Sequence, residues 1–275
     1  MRRIALLLPF LLLPFLLLAG CKTMELKESM FIRPDSVTQA KPLAKQNFAD
    51  ATELEIQRPD GAVLRGVLVT RPDAERTLLY FGGNLFHLDE YGPNVVSHLK
   101  GCKVNVAIFD YRGYGRSTGA PTVANLSGDA LAIYDMLEAR YPGKVSVHGQ
   151  SLGSFVAAGI AQQRPVRSVV LETTATTPLD IAQSALPWYY KAFVKLSVEP
   201  SLSVIDNEAA AKRFQSPTLV LAGARDKTTP AFLGRRVYEA APVERKQLLV
   251  LPEAGHNNVL SNPSTAPALC PFIEG

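Results

Sequence analysis

The sequence predicts an α/β protein with a mainly parallel sheet and helices on both faces. Three observations predict it. Short apolar runs without polar alternation recur between residues 77 and 251, helical patterns lie between them, and 275 residues suffice for one domain with a substantial core. A strand covered on both faces carries a continuous apolar run, whereas a half-buried strand alternates.

The elements follow in order. Residues 53–57 alternate, Asp60-Gly61 makes a turn, and residues 63–69 return, which predicts an antiparallel hairpin at a sheet edge. Apolar runs then occupy residues 77–81, 104–109, 144–148, 167–171, 218–222 and 247–251. Helical patterns cover 91–100, 126–140, 152–164 and 231–240; in the second, Leu126, Ala130, Ile133 and Leu137 share one face. Residues 173–206 break the rhythm. They contain Trp188, Tyr189, Tyr190 and Phe193 and are expected to form an inserted helical cap.

The chain opens with Met1-Arg2-Arg3 and an apolar stretch at 4–18. That stretch is shorter than the about 20 residues a membrane span needs, and it has the pattern of a secretory signal peptide. It ends in Leu18-Ala19-Gly20-Cys21, which resembles the lipobox of bacterial lipoproteins. This resemblance implies a signal peptide at 1–20 and acylation of Cys21. Residues 21–50, with Pro34, Pro42 and little periodicity, would tether the lipid to a domain at 51–275. The implied location is the bacterial cell envelope, on a membrane. Lys22, rather than aspartate, after the cysteine favours the outer membrane facing the periplasm.

Of the formal charge of +4, two units are Arg2 and Arg3 of the leader. No basic stripe remains, so nucleic acid is not an expected partner. Cys102 and Cys270 have no metal spacing; an exported compartment permits their pairing, but two separate buried thiols are the expectation. Neither a metal nor a cofactor is expected.

The chemistry gathers around Gly149-Gln150-Ser151-Leu152-Gly153. A serine hydroxyl is a weak nucleophile and needs exposure, a base and donors for an oxyanion. Here a strand runs into a glycine-flanked turn and a helix starts at once, the context of a nucleophile elbow. Ser151 is therefore the expected nucleophile. The chain order Ser, acid, His makes His256 in the loop after the last run the base, ahead of His87, His98 and His148. Asp226, just past the fifth run, is the expected acid, ahead of Asp206 and Glu253. The Leu152 amide and, from Phe81-Gly82-Gly83-Asn84-Leu85, the Asn84 amide are the expected oxyanion donors.

These residues carry a resemblance. Tyr80-Phe81-Gly82-Gly83-Asn84, Asp110-Tyr111-Arg112-Gly113-Tyr114-Gly115-Arg116-Ser117, His148-Gly149-Gln150-Ser151-Leu152-Gly153, Gly223-Ala224-Arg225-Asp226 and Ala254-Gly255-His256-Asn257 are similar to motifs of the α/β-hydrolase superfamily. The similarity is to its Bem46-like, serine-aminopeptidase-like branch and covers roughly residues 50–270. It implies the α/β-hydrolase fold and a structural role for the 110–117 stretch. The sequence departs at Gly82, where relatives usually carry a histidine that orders the oxyanion loop. The expected function is hydrolysis of a carboxylic ester or thioester on a small or lipid-like acyl substrate. An amidase or peptidase on the same three residues, and a lipid-anchored binding protein without activity, are the alternatives.

Overall fold

In the computed structural model, residues 22–33, 48 and 51–275 are described; the leader, Cys21 and most of the expected tether lie outside them. The chain begins with β1 (Lys22–Leu26) and α1 (Glu28–Phe31). The hairpin β2 (Ala51–Gln57) and β3 (Val63–Val69) follows, and its arms pair antiparallel. Strand–helix alternation then runs through β4 (Arg76–Phe81), α2 (Leu88–His98), β5 (Val104–Phe109), α3 (Val123–Arg140), β6 (Val145–Gln150), α4 (Leu152–Ala161) and β7 (Val169–Glu172). An insertion comprises α5 (Pro178–Ala185), β8 (Val194–Val198) and α6 (Pro200–Ser203). The chain finishes with α7 (Asn207–Ala211), β9 (Thr218–Gly223), α8 (Ala231–Ala240), β10 (Lys246–Leu251) and α9 (Thr265–Glu274).

The main sheet has eight strands in the order β10-β9-β7-β6-β4-β5-β3-β2. From β10 to β5 every pairing is parallel, while β3 pairs antiparallel with both β5 and β2. Successive strand residues enter opposite layers, as the pleat requires. Leu79 and Phe81 of β4 pack with α3, α4, α7 and α8, whereas Leu78 and Tyr80 pack with α2 and α9. This is the fold class expected from sequence, and the continuous apolar runs arise because both faces are covered. The apolar stripe of α3 is buried as its spacing requires, and Thr122 caps the helix by accepting from the Asn125 amide.

Four expectations need correction. The inserted segment is not purely helical, because β8 forms a two-stranded parallel sheet with β1. The described part of the expected tether is structured for the same reason: a strand of five residues finds its partner only in the cap. Ile32 is buried, the Phe31 ring meets Phe155 of α4 edge-on at 5.7 Å, and Glu28 accepts from the Val123 amide at 2.9 Å. Phe48 is also buried. Cys102 and Cys270 are joined in a disulfide rather than separate. Finally, α9 had no expected counterpart. Its Pro267 sits in the first turn, where a missing amide costs no helical bond, but Pro271 interrupts the pattern that would advertise a helix. Among the described residues no helix is long and apolar enough to cross a membrane.

Candidate active site

Three parallel strands deliver the expected residues to one place. Ser151 follows β6 directly, Asp226 lies just beyond β9, and His256 lies in the loop after β10. All three are at carboxyl ends of strands, where open α/β sheets gather ligands. Ser151 Oγ lies 2.9 Å from His256 Nε2, and His256 Nδ1 lies 2.8 Å from Asp226 Oδ2. His87, His98 and His148 are not in this chain of bonds, nor are Asp206 and Glu253.

The elbow is a consequence of two glycines. A Cβ on Gly149 would stand 1.9 Å from the Gly153 carbonyl oxygen, and one on Gly153 would stand 2.1 Å from the Phe81 carbonyl oxygen. No side chain fits either place. The compression leaves Ser151 at φ 53°, outside the regions a non-glycine residue prefers. Such a conformation costs on the order of 1–3 kcal/mol and persists only where surrounding contacts enforce it. Here the Ser151 amide donates to the Glu172 carbonyl at 2.9 Å, and Ser154 Oγ donates to the Ser151 carbonyl at 2.6 Å.

Asp226 has a buried side chain and collects donors. The Thr228 and Thr229 amides donate to Oδ1 at 2.8 and 2.9 Å, and Thr229 Oγ1 lies 2.8 Å from Oδ2. Burial alone would raise its pKa, but the His256 ring and the Thr229 contacts outweigh burial and hold the carboxyl below its ordinary value. The acid is thus ionised where a protonated imidazole needs a counter-charge.

The loop expected to supply an oxyanion donor adjoins the elbow: a Cβ on Gly83 would lie 3.5 Å from the Ser151 Cβ. Among the described residues, no bond from the Asn84 or the Leu152 amide to another group occurs. Gln150 Oε1 accepts from the Gly83 amide at 3.1 Å, and Tyr111 Oη donates to the Gly82 carbonyl at 2.6 Å. The Asn84 side chain is tied on both sides: Oδ1 accepts from Tyr114 Oη at 2.9 Å, and Nδ2 donates to the Phe31 carbonyl at 3.0 Å. The space that a residue-82 side chain would take is filled by Phe86, whose ring a Cβ there would meet at 2.1 Å. The Phe86 ring, Gln150 and Tyr111 therefore order this loop around Gly82.

The stretch 110–117 is the frame for that loop. Asp110 Oδ1 accepts from the Leu88 amide at 2.7 Å and Oδ2 from the Arg116 amide at 2.8 Å. Arg112 binds Asp129 of α3 through two bonds of 2.8 Å, and Arg116 binds Asp89 of α2 at 2.7 Å. Several of these positioning groups had no signal in the sequence. Glu172 is one: it is buried, meets His148 Nε2 at 2.9 Å and accepts from the Leu260 amide at 3.0 Å, tying the strand before the elbow to the His256 loop. Gln150 and Thr229 are others, since residue type and spacing do not show where a side chain points.

An open cleft of about 450 Å³ runs along α4. Leu152, Phe155, Val156 and Gly159 of α4 line it, together with Lys212 and Arg213. Leu152 joins it to the elbow, although Ser151, Asp226 and His256 do not line it.

Comparison with known proteins agrees with this architecture. Residues 72–208 match the family described as serine aminopeptidase, S33. The Mycobacterium tuberculosis (strain H37Rv) protein Rv2307c is 36% identical over 163 residues, covering 58% of this chain and 56% of that protein, so the match spans little more than half of its length. Protein bem46 of Schizosaccharomyces pombe is 26% identical over 234 residues, covering 82% of this chain and 77% of its own. Among solved structures, the Pyrococcus furiosus esterase Pf2001 is similar at a TM-score of 0.69 and 20% identity, covering 89% of this chain and 99% of that one. That likeness concerns the fold.

One titration follows from the frame. Burial pushes the Asp110 carboxyl from 3.8 up to about 6, against the opposite pull of the Arg116 and Leu88 amides. Because the folded value lies above the unfolded one, its contribution to stability is complete below the unfolded value and is lost as pH rises through about 6. Carbon-13 NMR of labelled aspartate carboxyls should show one group titrating near that pH and missing from Asp110→Asn. Titration of every aspartate in the ordinary carboxylate range would contradict this.

Proposed function

Because the chain belongs to the α/β-hydrolase superfamily, in its Bem46-like branch, we propose that it is a serine hydrolase of carboxylic esters or thioesters acting through Ser151, His256 and Asp226. The observation that carries this reading is the unbroken Ser151–His256–Asp226 line of 2.9 and 2.8 Å contacts between groups far apart in sequence. In the proposed reaction Ser151 Oγ attacks the acyl carbon while its proton passes to His256 Nε2. Asp226 stabilises the imidazolium through Nδ1. The carbonyl oxygen gains charge and is met by the Leu152 and Asn84 amides. The imidazolium then gives its proton to the leaving alcohol or thiol. Water, activated by the same histidine, releases the acid and restores Ser151.

The amidase or peptidase reading uses the same tetrahedral intermediate, and the name of the matched S33 family favours including it. Aminoacyl amides therefore belong in the substrate panel beside esters and thioesters. Preference for the amides would replace the esterase reading. A non-catalytic binding protein is excluded by labelling: a fluorophosphonate probe should modify the wild type and not Ser151→Ala. Equal labelling of both, or of neither, would remove the serine hydrolase reading.

The cleft along α4 is proposed to take the acyl chain. A Cβ on Gly159 meets nothing within 4 Å, so the side chain of Gly159→Leu starts in open space and narrows the cleft. The turnover efficiency kcat/KM on long-chain esters should fall roughly tenfold, the effect of about two methylenes losing burial, with acetyl esters little changed. An equal fall on both would place the chain elsewhere.

The lipid anchor is likewise a proposal. A thiol at Cys21 carrying acyl chains would hold the domain at an envelope membrane, since each buried methylene contributes about 0.8 kcal/mol. Radiolabelled palmitate should enter the wild type and not Cys21→Ala. Its absence from the wild type would end the lipoprotein reading.

A further inference from the structure

A second feature of the cap points to a membrane independently of Cys21 chemistry. Residues 187–193 form one exposed turn between α5 and β8. Within it, Trp188 is 82% exposed, and Tyr189, Tyr190 and Phe193 are each about half exposed. The rings pack against one another, Trp188 and Tyr189 edge-on with centroids 5.9 Å apart, and Tyr189 and Tyr190 tilted with centroids 4.8 Å apart. Large aromatic side chains rarely crowd together in water, where each leaves apolar area unburied. Lys191 and Lys195 are exposed beside them, and residues 181–198 contain no acidic side chain. Trp and Tyr with interspersed lysine is the composition of protein surfaces at the lipid–water boundary, where rings sit at headgroup depth and cations meet anionic lipid.

The register of the small sheet supplies the second observation. β1 pairs parallel with β8, and the pairing begins with Lys22 opposite Val194. Val194 follows Phe193 directly, so the chain leaves the described domain, toward Cys21 and the apolar stretch 4–18, at the aromatic turn. In the sequence, Leu18 stands only four residues before Lys22. An apolar leader, or acyl chains on Cys21 in its place, would then meet a membrane beside these rings. β1 is the device that places it there, since a flexible tether could leave from any side.

We propose that the turn 187–193 is a membrane-docking surface, with a lipid bilayer as its occupant, and that β1 holds it against the bilayer next to the chain's own anchor. This rests on the reading that the segment before Lys22 associates with a membrane. Docking fixes the orientation of the domain on the membrane and lowers the entropy of bringing an acyl substrate from the bilayer to the enzyme.

Trp188 is the only tryptophan in the chain, so its fluorescence reports on the turn alone. The full-length protein, purified from membranes, is reconstituted into phosphatidylcholine–phosphatidylglycerol vesicles with and without brominated acyl chains. Trp188 emission should shift to the blue and fall by roughly half or more in the brominated vesicles, as expected for a ring at the interface. Lys191→Glu/Lys195→Glu should weaken this quenching while the protein still floats with the vesicles. Flotation with water-like, unquenched emission would overturn the docking surface and leave the anchor intact. A protein that neither floats nor is quenched overturns both. A blue shift that depends on protein concentration without lipid would assign the turn to a second copy of the chain and overturn the proposal.

Discussion

Close backbone contact at the elbow governs the site. α4 can start where it does only because Gly149 and Gly153 have no side chains, so that the helix lies against the Phe81 carbonyl and Ser151 is pressed to positive φ. In that conformation the Ser151 hydroxyl meets the His256 ring, and α4 begins at the next residue. Every other element of the site is arranged around this point. His256 must come from a loop reaching over β9, and Asp226 must sit behind it. Glu172 secures both sides, its carbonyl holding the Ser151 amide and its carboxylate holding the loop beyond His256. The strained Ser151 backbone is thus supported by buried hydrogen bonds, which are strongest where water is excluded.

The oxyanion loop shows how one missing side chain is replaced by several contacts. Gly82 leaves room for the Phe86 ring, while Gln150, Tyr111 and Tyr114 hold the loop through its backbone and the Asn84 side chain. The arginines of the 110–117 stretch are nearly buried and are bound to carboxylates on α2 and α3. Removing one partner of such a pair leaves an uncompensated buried charge, which costs far more than a surface ion pair contributes. The stretch therefore positions the loop rigidly without touching the reacting atoms.

The N-terminal segment joins the site to the membrane question. Phe31 and Ile32 lie on the domain beside Asn84 and α4, so residues expected to be a tether are part of the wall around the oxyanion loop. The same segment, through β1, belongs to the cap. One short piece of chain thereby touches both the cap and the residues around Asn84.

Periodicity and motif spacing by themselves determined the strand–helix alternation, the parallel sheet and the glycine-flanked elbow, and they singled out Ser151, His256 and Asp226, which the fold brings into contact. These are local properties, because pleat, helical turn and a tight glycine-flanked bend each leave their mark within a few residues. Tertiary structure alone decided the β1–β8 pairing, the Cys102–Cys270 disulfide, the helix α9 and the supporting roles of Glu172, Gln150 and Thr229. Each depends on a partner distant in sequence. A five-residue strand or a buried glutamate gains its stability from what it meets in the fold, and no pattern along the chain records that meeting.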